Sequence, residues 1–252
     1  MEVLTPRSLD EALRLKAERP EALPIQGGTD VMVELNFDRT RPPALLNLNE
    51  VPELRGWWRE NGGLRLGSGL TYTEAMESPL ADDCRALAEA SRTVGGNLGT
   101  ASPAGDALPP LLVYQAEVEV ASARGRRTVP LGEFLVGPKR NSLEQDELIV
   151  SVPIDPPGPR QTFMKVGPRN AMVIAVVSLA LCVDEARGEV RASFGSAGPV
   201  PGLVTARLDD RDELPDRVAE GASPIDDVRG TAPYRRHALR VLTERALERC
   251  LA

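Results

Sequence analysis

Three prolines within five residues interrupt this chain at Asp155-Pro156-Pro157-Gly158-Pro159. Proline lacks an amide N–H and restricts the residue before it, so no helix or central strand continues through such a segment. A chain of 252 residues has room for one large or two small domains at about 150 residues each. We therefore predict a boundary near Pro157, with one domain over 1–156, in two parts of about 1–52 and 53–156, and a second over 160–252.

Composition and charge exclude several classes of function. The hydrophobic fraction of 42% supports a buried core, and a net charge of −7 without a basic run disfavours nucleic-acid binding. The longest apolar run, 171–183, is shorter than the roughly 20 residues of a membrane span. We expect a cytoplasmic protein with no membrane span, because the chain starts without a signal peptide and its three cysteines are far apart.

Metal chemistry on this chain alone is not expected. Cys84, Cys182, Cys250 and the single histidine, His237, are too few and too scattered to ligate zinc or an iron–sulfur cluster. We therefore predict no metal site here, and any redox or hydrolytic chemistry must use an organic cofactor or simple carboxylates.

Local patterns predict alternating helices and strands. Ser8 and Glu11 form a capping box, which predicts a helix over 9–18. Further helices are predicted from near Asp30 to Leu35 and over 80–90, 107–114 and 232–250. Strands are predicted over 22–25, 44–48, 64–66, 118–121, 126–129 and 148–154, and a β-hairpin over 174–183 and 189–194.

Two glycine-rich turns carry the most informative signal, one over 26–30 and one over 93–99. Glycines let successive amides converge on an anion, and a following helix adds its dipole, so a diphosphate suits this pair. The alternative is that both are tight turns without a ligand. Gly67-Ser68-Gly69 does not complete a Rossmann fingerprint, because Tyr72 occupies the third glycine position.

These motifs together resemble a known family. They are Ile25-Gln26-Gly27-Gly28-Thr29-Asp30, Thr93-Val94-Gly95-Gly96-Asn97, Ser102-Pro103 with Asp106, Phe163-x-Lys165-x-Gly167-x-Arg169, 195–201, 223–227 and Tyr234-Arg235-Arg236. In this order they are similar to the FAD-binding subunit of the molybdenum hydroxylases, such as xanthine dehydrogenase and carbon monoxide dehydrogenase. The resemblance implies an α+β fold: a two-part FAD-binding domain of the vanillyl-alcohol-oxidase type, followed by a small α+β domain with an antiparallel sheet.

The resemblance also implies a role in a heterotrimer. A large partner subunit carries the molybdopterin cofactor, a small partner subunit carries two [2Fe–2S] clusters, and the FAD subunit passes their electrons to NAD or another acceptor. The activity that the resemblance implies is that of an FAD-dependent oxidoreductase subunit of the xanthine dehydrogenase type. Relatives often carry an aspartate where this chain has Val173, so the acceptor stays open.

The resemblance implies a set of FAD-binding residues and no catalytic residue. The set is Ile25, Gln26, Gly27, Gly28, Thr29, Asp30, Thr93, Gly95, Gly96, Asn97, Thr100, Ser102, Asp106, Ile149 and Lys165. Asp106 is expected at the polar chain of the flavin, and Ile149 and Lys165 near the flavin itself. Judged by residue type alone, Asp106 equally suits the N-cap of the helix at Ala107, and Lys165 equally suits a solvated strand edge.

Two other functions stay open. Only Ser91-Arg92 separate Ala90 from Thr93, where relatives have a longer segment, so a non-catalytic assembly subunit with weakened flavin binding is one alternative. A self-sufficient FAD oxidoreductase with its own substrate pocket is the other. That reading needs a base near the flavin, and a single histidine without a Cys–His pair disfavours it.

Overall fold

The computed structural model describes residues 1–92, 98–169 and 173–252. They form two compact units: the first unit comprises 1–71, 117–130 and 142–154, and the second unit comprises 72–116, 131–141 and 155–252. These units are interleaved along the chain, whereas the predicted domains, 1–156 and 160–252, are continuous. Those domain bounds stay a prediction.

The regular elements are numbered in chain order. The strands are β1 (Glu2–Leu4), β2 (Leu23–Ile25), β3 (Ala44–Asn47), β4 (Trp57–Glu60), β5 (Gly63–Gly67), β6 (Glu117–Ser122), β7 (Gly125–Pro130), β8 (Leu135–Gly137), β9 (Arg140–Asn141), β10 (Leu148–Ile154), β11 (Gln161–Val166), β12 (Val177–Asp184), β13 (Glu189–Gly195) and β14 (Gly202–Arg207). The α-helices are α1 (Leu9–Glu18), α2 (Val31–Asn36), α3 (Tyr72–Ala75), α4 (Leu80–Asp83), α5 (Arg85–Ser91), α6 (Leu108–Val113), α7 (Leu131–Phe134), α8 (Leu214–Gly221) and α9 (Ala232–Leu251). Within these described ranges, no helix is both long enough and apolar enough to span a membrane.

A small parallel sheet opens the first unit, with strand order β1-β3-β2. Helix α1 begins as the capping box predicts, because the Ser8 hydroxyl accepts a hydrogen bond from the Glu11 amide at 3.2 Å. Its buried residues Leu9, Ala12 and Leu13 join the apolar core of this unit. The glycine turn over 26–30 connects β2 to α2, as the sequence predicted.

A larger antiparallel sheet completes the first unit, with strand order β4-β5-β10-β6-β7. The predicted strands over 118–121, 126–129 and 148–154 are confirmed as β6, β7 and β10. The register of β10 against β6 shifts between Ile149 and Ser151. Such an irregularity bends a strand and re-aims its side chains.

The second unit is built around an antiparallel sheet with strand order β11-β12-β13-β14. The predicted hairpin is present, and Gly188 supplies the positive φ of +65° in its turn. The predicted start of its first strand at Ile174 is wrong. Ile174 is 62% exposed and the strand begins at Val177, because regular pairing with β11 ends at Val166.

The helices of the second unit correct two other predictions. The predicted helix over 80–90 is broken at Cys84, whose φ of −122° and ψ of 52° separate α4 from α5. The predicted helix over 107–114 is shorter, and Pro109 and Pro110 lie in its first turn, where no amide is required. The carboxy-terminal helix α9 is confirmed, and the Thr231 hydroxyl caps its first turn.

Candidate functional site

The glycine turn of the first unit presents open backbone at the start of α2. Gly28 has a φ of +71°, a conformation that costs an L-residue about 1–2 kcal/mol. A Cβ at Gly27 would meet no described heavy atom within 4 Å. Asp30 occupies the N-cap position of α2, and the Met32 amide donates to the Gly28 carbonyl oxygen at 2.9 Å, so the turn is closed by its own backbone while the space beside Gly27 stays open.

Gln26 contacts two neighbouring segments of the first unit, through its backbone carbonyl and through its side-chain amide. Its carbonyl oxygen accepts a hydrogen bond from Asn49 Nδ2 at 3.0 Å. A Cβ at Gly69 would collide with Gln26 Nε2, and one at Gly67 would collide with the Leu54 carbonyl oxygen. The Gly67-x-Gly69 pair therefore serves close packing within the first unit.

The other predicted residues of the first unit lie on regular elements or on the turn itself. Ile25 is the last residue of β2 and is half-buried, and its Cδ1 lies 3.6 Å from a Cβ built at Gly28. Thr29 is exposed on the turn. Ile149 is half-buried on β10, next to the register shift.

The second glycine turn falls partly outside the described residues, which include none of Thr93, Gly95, Gly96 and Asn97. The segment that follows is compact. Ala101 has a φ of +49°, and its carbonyl oxygen accepts from the Lys139 amide at 3.0 Å. Ser102, like Thr100, is half-buried, and its hydroxyl accepts from the Ala104 amide at 3.4 Å.

A buried ion pair lies in the second unit at the end of β11. Lys165 Nζ is 2.7 Å from Asp106 Oδ2 and donates to the Val173 carbonyl oxygen at 3.0 Å. The two side chains are only 9% and 2% exposed. The structure thus brings together two residues that lie 59 positions apart in the sequence.

The ion pair excludes the two alternatives for these residues, an N-cap role for Asp106 and a solvated strand edge for Lys165. Asp106 does not cap α6, whose N-cap residue is Ala107 and has no side-chain cap. Lys165 is not solvated. A buried pair of opposite charges adds little net stability over apolar residues of similar volume.

Sequence reasoning missed the serine that faces Lys165. Ser178 lies directly opposite Lys165 across the β11–β12 ladder and is fully buried. Its hydroxyl has no hydrogen-bond partner among the described residues, and a Cβ at Gly195 would lie 2.6 Å from it. The only signal in the sequence was one serine inside the apolar run 171–183.

Comparison with known proteins identifies the family. Residues 1–157 match the FAD-binding domain in molybdopterin dehydrogenase. The xanthine dehydrogenase FAD-binding subunit of Escherichia coli O157:H7 is 29% identical, over 97% of this chain and 94% of that protein. The nicotinate dehydrogenase FAD-subunit of Eubacterium barkeri is 31% identical, over 73% of this chain and 70% of that protein.

The chain belongs to this family of FAD-binding domains of molybdopterin dehydrogenases, and is therefore an FAD-binding oxidoreductase component. A chain of carbon monoxide dehydrogenase from Hydrogenophaga pseudoflava has the same fold, with a TM-score of 0.89, 21% identity and coverage of 100% of this chain and 97% of that one. The α+β class predicted from the sequence is confirmed.

Proposed function

We propose that this chain is the electron-transfer flavoprotein of a molybdenum hydroxylase complex. It binds FAD without a covalent link, receives electrons from [2Fe–2S] clusters on a small partner subunit, and passes them to NAD or another acceptor. The observation that carries the proposal is the buried Lys165–Asp106 pair in a chain of the FAD-binding family. FAD supplies reversible electron acceptance, and a nearby ammonium group favours its anionic reduced form.

The proposed FAD-binding residues are those that the family resemblance implies. They are Ile25, Gln26, Gly27, Gly28, Thr29, Asp30 and Ile149 in the first unit, and Thr100, Ser102, Asp106 and Lys165 in the second. Thr93, Gly95, Gly96 and Asn97 are also proposed, on the family resemblance alone. The open space at Gly27 and the positive φ of Gly28 support a diphosphate role for the first turn.

The proposed partners are a small iron–sulfur subunit and a large molybdopterin subunit. The family description refers to a molybdopterin dehydrogenase, and the relatives from E. coli and E. barkeri are named as FAD subunits, which supports a division of cofactors among chains. All three cysteines are free and buried. Free thiols are typical of a reducing compartment, and the proposal includes a cytoplasmic location.

The role of Lys165 is tested by the reduction potential of bound FAD. We expect Lys165→Gln to lower that potential, because removing a positive charge destabilises the anionic reduced form. Lys139→Gln is the matched control, since Lys139 is an exposed lysine of the same unit. Equal potentials in wild type and Lys165→Gln would contradict the proposed role of Lys165.

The role of the first glycine turn is tested by Gly28→Ala. Gly188→Ala is the matched control, because Gly188 has a similar φ, +65° against +71°, in a turn with open space around it. Both variants should carry a similar backbone strain of about 1–2 kcal/mol. Only Gly28→Ala should weaken FAD binding, by about tenfold or more in a titration of the deflavinated chain.

The remaining alternatives are separated by two simple measurements. Acid precipitation of the purified chain should release FAD into the supernatant, whereas a colourless chain that FAD cannot reconstitute would indicate an assembly subunit. Purification from the native host should recover the iron–sulfur and molybdopterin subunits with this chain. Reduction of the flavin by substrate without any partner would indicate a stand-alone oxidoreductase instead.

A further inference from the structure

One sequence motif takes no part in the proposed function. Arg235, in the first turn of α9, is only 1% exposed although it is an arginine. Its Nη1 donates to the carbonyl oxygens of Val176 at 2.6 Å and Ser196 at 2.7 Å, and its Nη2 donates to Asp227 Oδ1 at 2.6 Å. The guanidinium therefore joins three loops of the second unit.

The first of these loops carries a partner of Lys165. The Val176 amide donates to the Val166 carbonyl oxygen at 2.8 Å, just beyond the regular β11–β12 ladder. Three residues earlier, the Val173 carbonyl oxygen accepts from Lys165 Nζ at 3.0 Å. The segment 173–176 is thus held at one end by Lys165 and at the other by Arg235.

The second loop leads to Asp106. Ser196 has a φ of +59°, which is unusual for a residue other than glycine, and its amide donates to the Pro103 carbonyl oxygen at 2.8 Å. Pro103 begins the short segment that ends at Asp106. A residue with positive φ persists only where its surroundings hold it, and the bond from Arg235 to Ser196 does so from the other side.

The third loop balances the charge of the guanidinium. Asp227 is bound by Arg235 and also by Arg229, at 2.7 Å. Hydrogen bonds from Arg229 chiefly, with the charge of Arg235 adding to them, lower the pKa of Asp227 to about 2. Arg235 therefore has an ionised partner at any pH near neutrality, so its orientation toward Val176 and Ser196 is fixed electrostatically as well as sterically.

From these contacts we infer that Arg235 is a positioning residue for the Lys165–Asp106 pair: it orients, through Val176 and Ser196, the two segments that carry the pair's partners. The inference rests on the proposed function of Lys165. The positioning role requires an arginine, because the planar guanidinium has several N–H donors that point in different fixed directions. A lysine ammonium is one compact charge, and it cannot donate to two carbonyl oxygens and a carboxylate in the same geometry.

The test uses the full chain with Arg235→Lys, and Arg236→Lys as the matched control. Arg236 follows on the same helix and makes one longer bond, to the Ala222 carbonyl oxygen at 3.3 Å. We expect Arg235→Lys to weaken FAD binding about tenfold, equivalent to about 1.4 kcal/mol, and to lower the potential of bound FAD in the same direction as Lys165→Gln. Arg236→Lys should change neither quantity.

A double variant separates positioning from a merely structural role. If Arg235 acts through Lys165, then adding Arg235→Lys to Lys165→Gln should leave the potential at the value of Lys165→Gln alone. Additive potential shifts would overturn the inference, as would an Arg235→Lys chain with a lower Tm but unchanged affinity and potential. If Lys165→Gln itself changes neither affinity nor potential, the proposed function of Lys165 fails and the inference fails with it.

Discussion

Different side chains build the two faces of the β11–β14 sheet, and both faces are buried on β12 and nearly so on β13. Leu179, Leu181 and Phe194 lie on one face, where they join an apolar core with α8 and α9. Directly opposed residues in the ladders place Lys165 and Ser178 together on the other face. That second face packs on α6, since a Cβ at Gly195 would lie 3.2 Å from Pro109 Cγ.

Gln161 on this second, polar face has partners at both of its side-chain polar atoms, whereas Arg191 Nε and Nη1 and the Ser178 and Ser193 hydroxyls have none among the described residues. Gln161 accepts hydrogen bonds from the Ala86 amide, at 3.0 Å, and from the Tyr114 hydroxyl. Its Nε2 donates to the carbonyl oxygens of Asp83 at 2.8 Å and Gly158 at 2.6 Å. Burial raises the pKa of Tyr114 well above its usual value, so this hydroxyl stays a donor.

The comparison shows that the two faces of one sheet differ in what their burial contributes to stability. Burial of apolar area on the first face stabilises the second unit at about 25 cal/mol per Å². Burial of polar groups on the second face contributes little net stability even where those groups have partners. The second face carries Lys165, whose pairing with Asp106 is the observation behind the proposed function.

The largest loss of stability is expected from Asp106→Asn, which removes the partner of Lys165 on the polar face. This change leaves the Lys165 ammonium buried without its carboxylate, and loss of one partner of a buried pair costs about 3–5 kcal/mol. Urea unfolding of the flavin-free chain measures the loss. The double variant Asp106→Leu with Lys165→Met should recover most of it, because neither charge is then buried. A loss below about 1 kcal/mol in the single variant would show that the pair behaves as an exposed one.

The second largest loss of stability is expected from Leu181→Ala, which truncates a side chain of the apolar face. Leu181 is fully buried in the core with α8 and α9, and such truncations cost about 3 kcal/mol, within a range of about 2–5. Affinity for FAD should stay unchanged in the folded protein. Leu203→Ala on β14 is the control, since Leu203 is 43% exposed and should cost less than about 1 kcal/mol. Weakened FAD binding in Leu181→Ala would contradict this prediction.

A smaller effect is expected from Tyr114→Phe, which removes one donor from the polar face. The Tyr114 hydroxyl donates to Gln161 and accepts from the Leu87 amide at 3.2 Å, so its loss should cost about 1–2 kcal/mol. Tyr234→Phe is the control because Tyr234 is 48% exposed. Equal unfolding free energies for the two variants would mean that the polar network adds nothing to stability.

The smallest effect is expected from alkaline pH acting on the apolar face. Burial raises the pKa of the Cys250 thiol to about 12, whereas an unfolded cysteine ionises near about 8.5. A folded-state pKa above the unfolded value gives stability that is present at lower pH and lost as the pH rises. Between about pH 8.5 and 9.5, the free energy of unfolding should fall by up to about 1 kcal/mol from this thiol.

The variant Cys250→Ala isolates that contribution. Urea unfolding at the same pH values should show a shallower decline for the variant than for wild type, because the variant has no thiol to ionise at this position. Parallel declines would indicate that other groups account for the alkaline loss.

The amino-acid sequence was sufficient wherever the cause of a structure is local. The Ser8 capping box, the hairpin turn with Gly188 and the proline-rich break after Ile154 depend on neighbours within a few residues. The order of the motifs was sufficient to indicate the family, and with it Asp106 and Lys165 as candidate FAD-binding residues.

Other features were decided only by the tertiary structure. The short strand β1 is defined by its pairing with β3, and the predicted helix over 80–90 is interrupted at Cys84 although its apolar spacing continues. No local signal indicated either, because short strands and helix breaks depend on partners that are distant in the sequence. The same holds for the ion pair itself: residue types named two candidate charges, but only folding removed both from water and set them 2.7 Å apart. Pairing and desolvation depend on non-local packing, which periodicity and residue type do not encode.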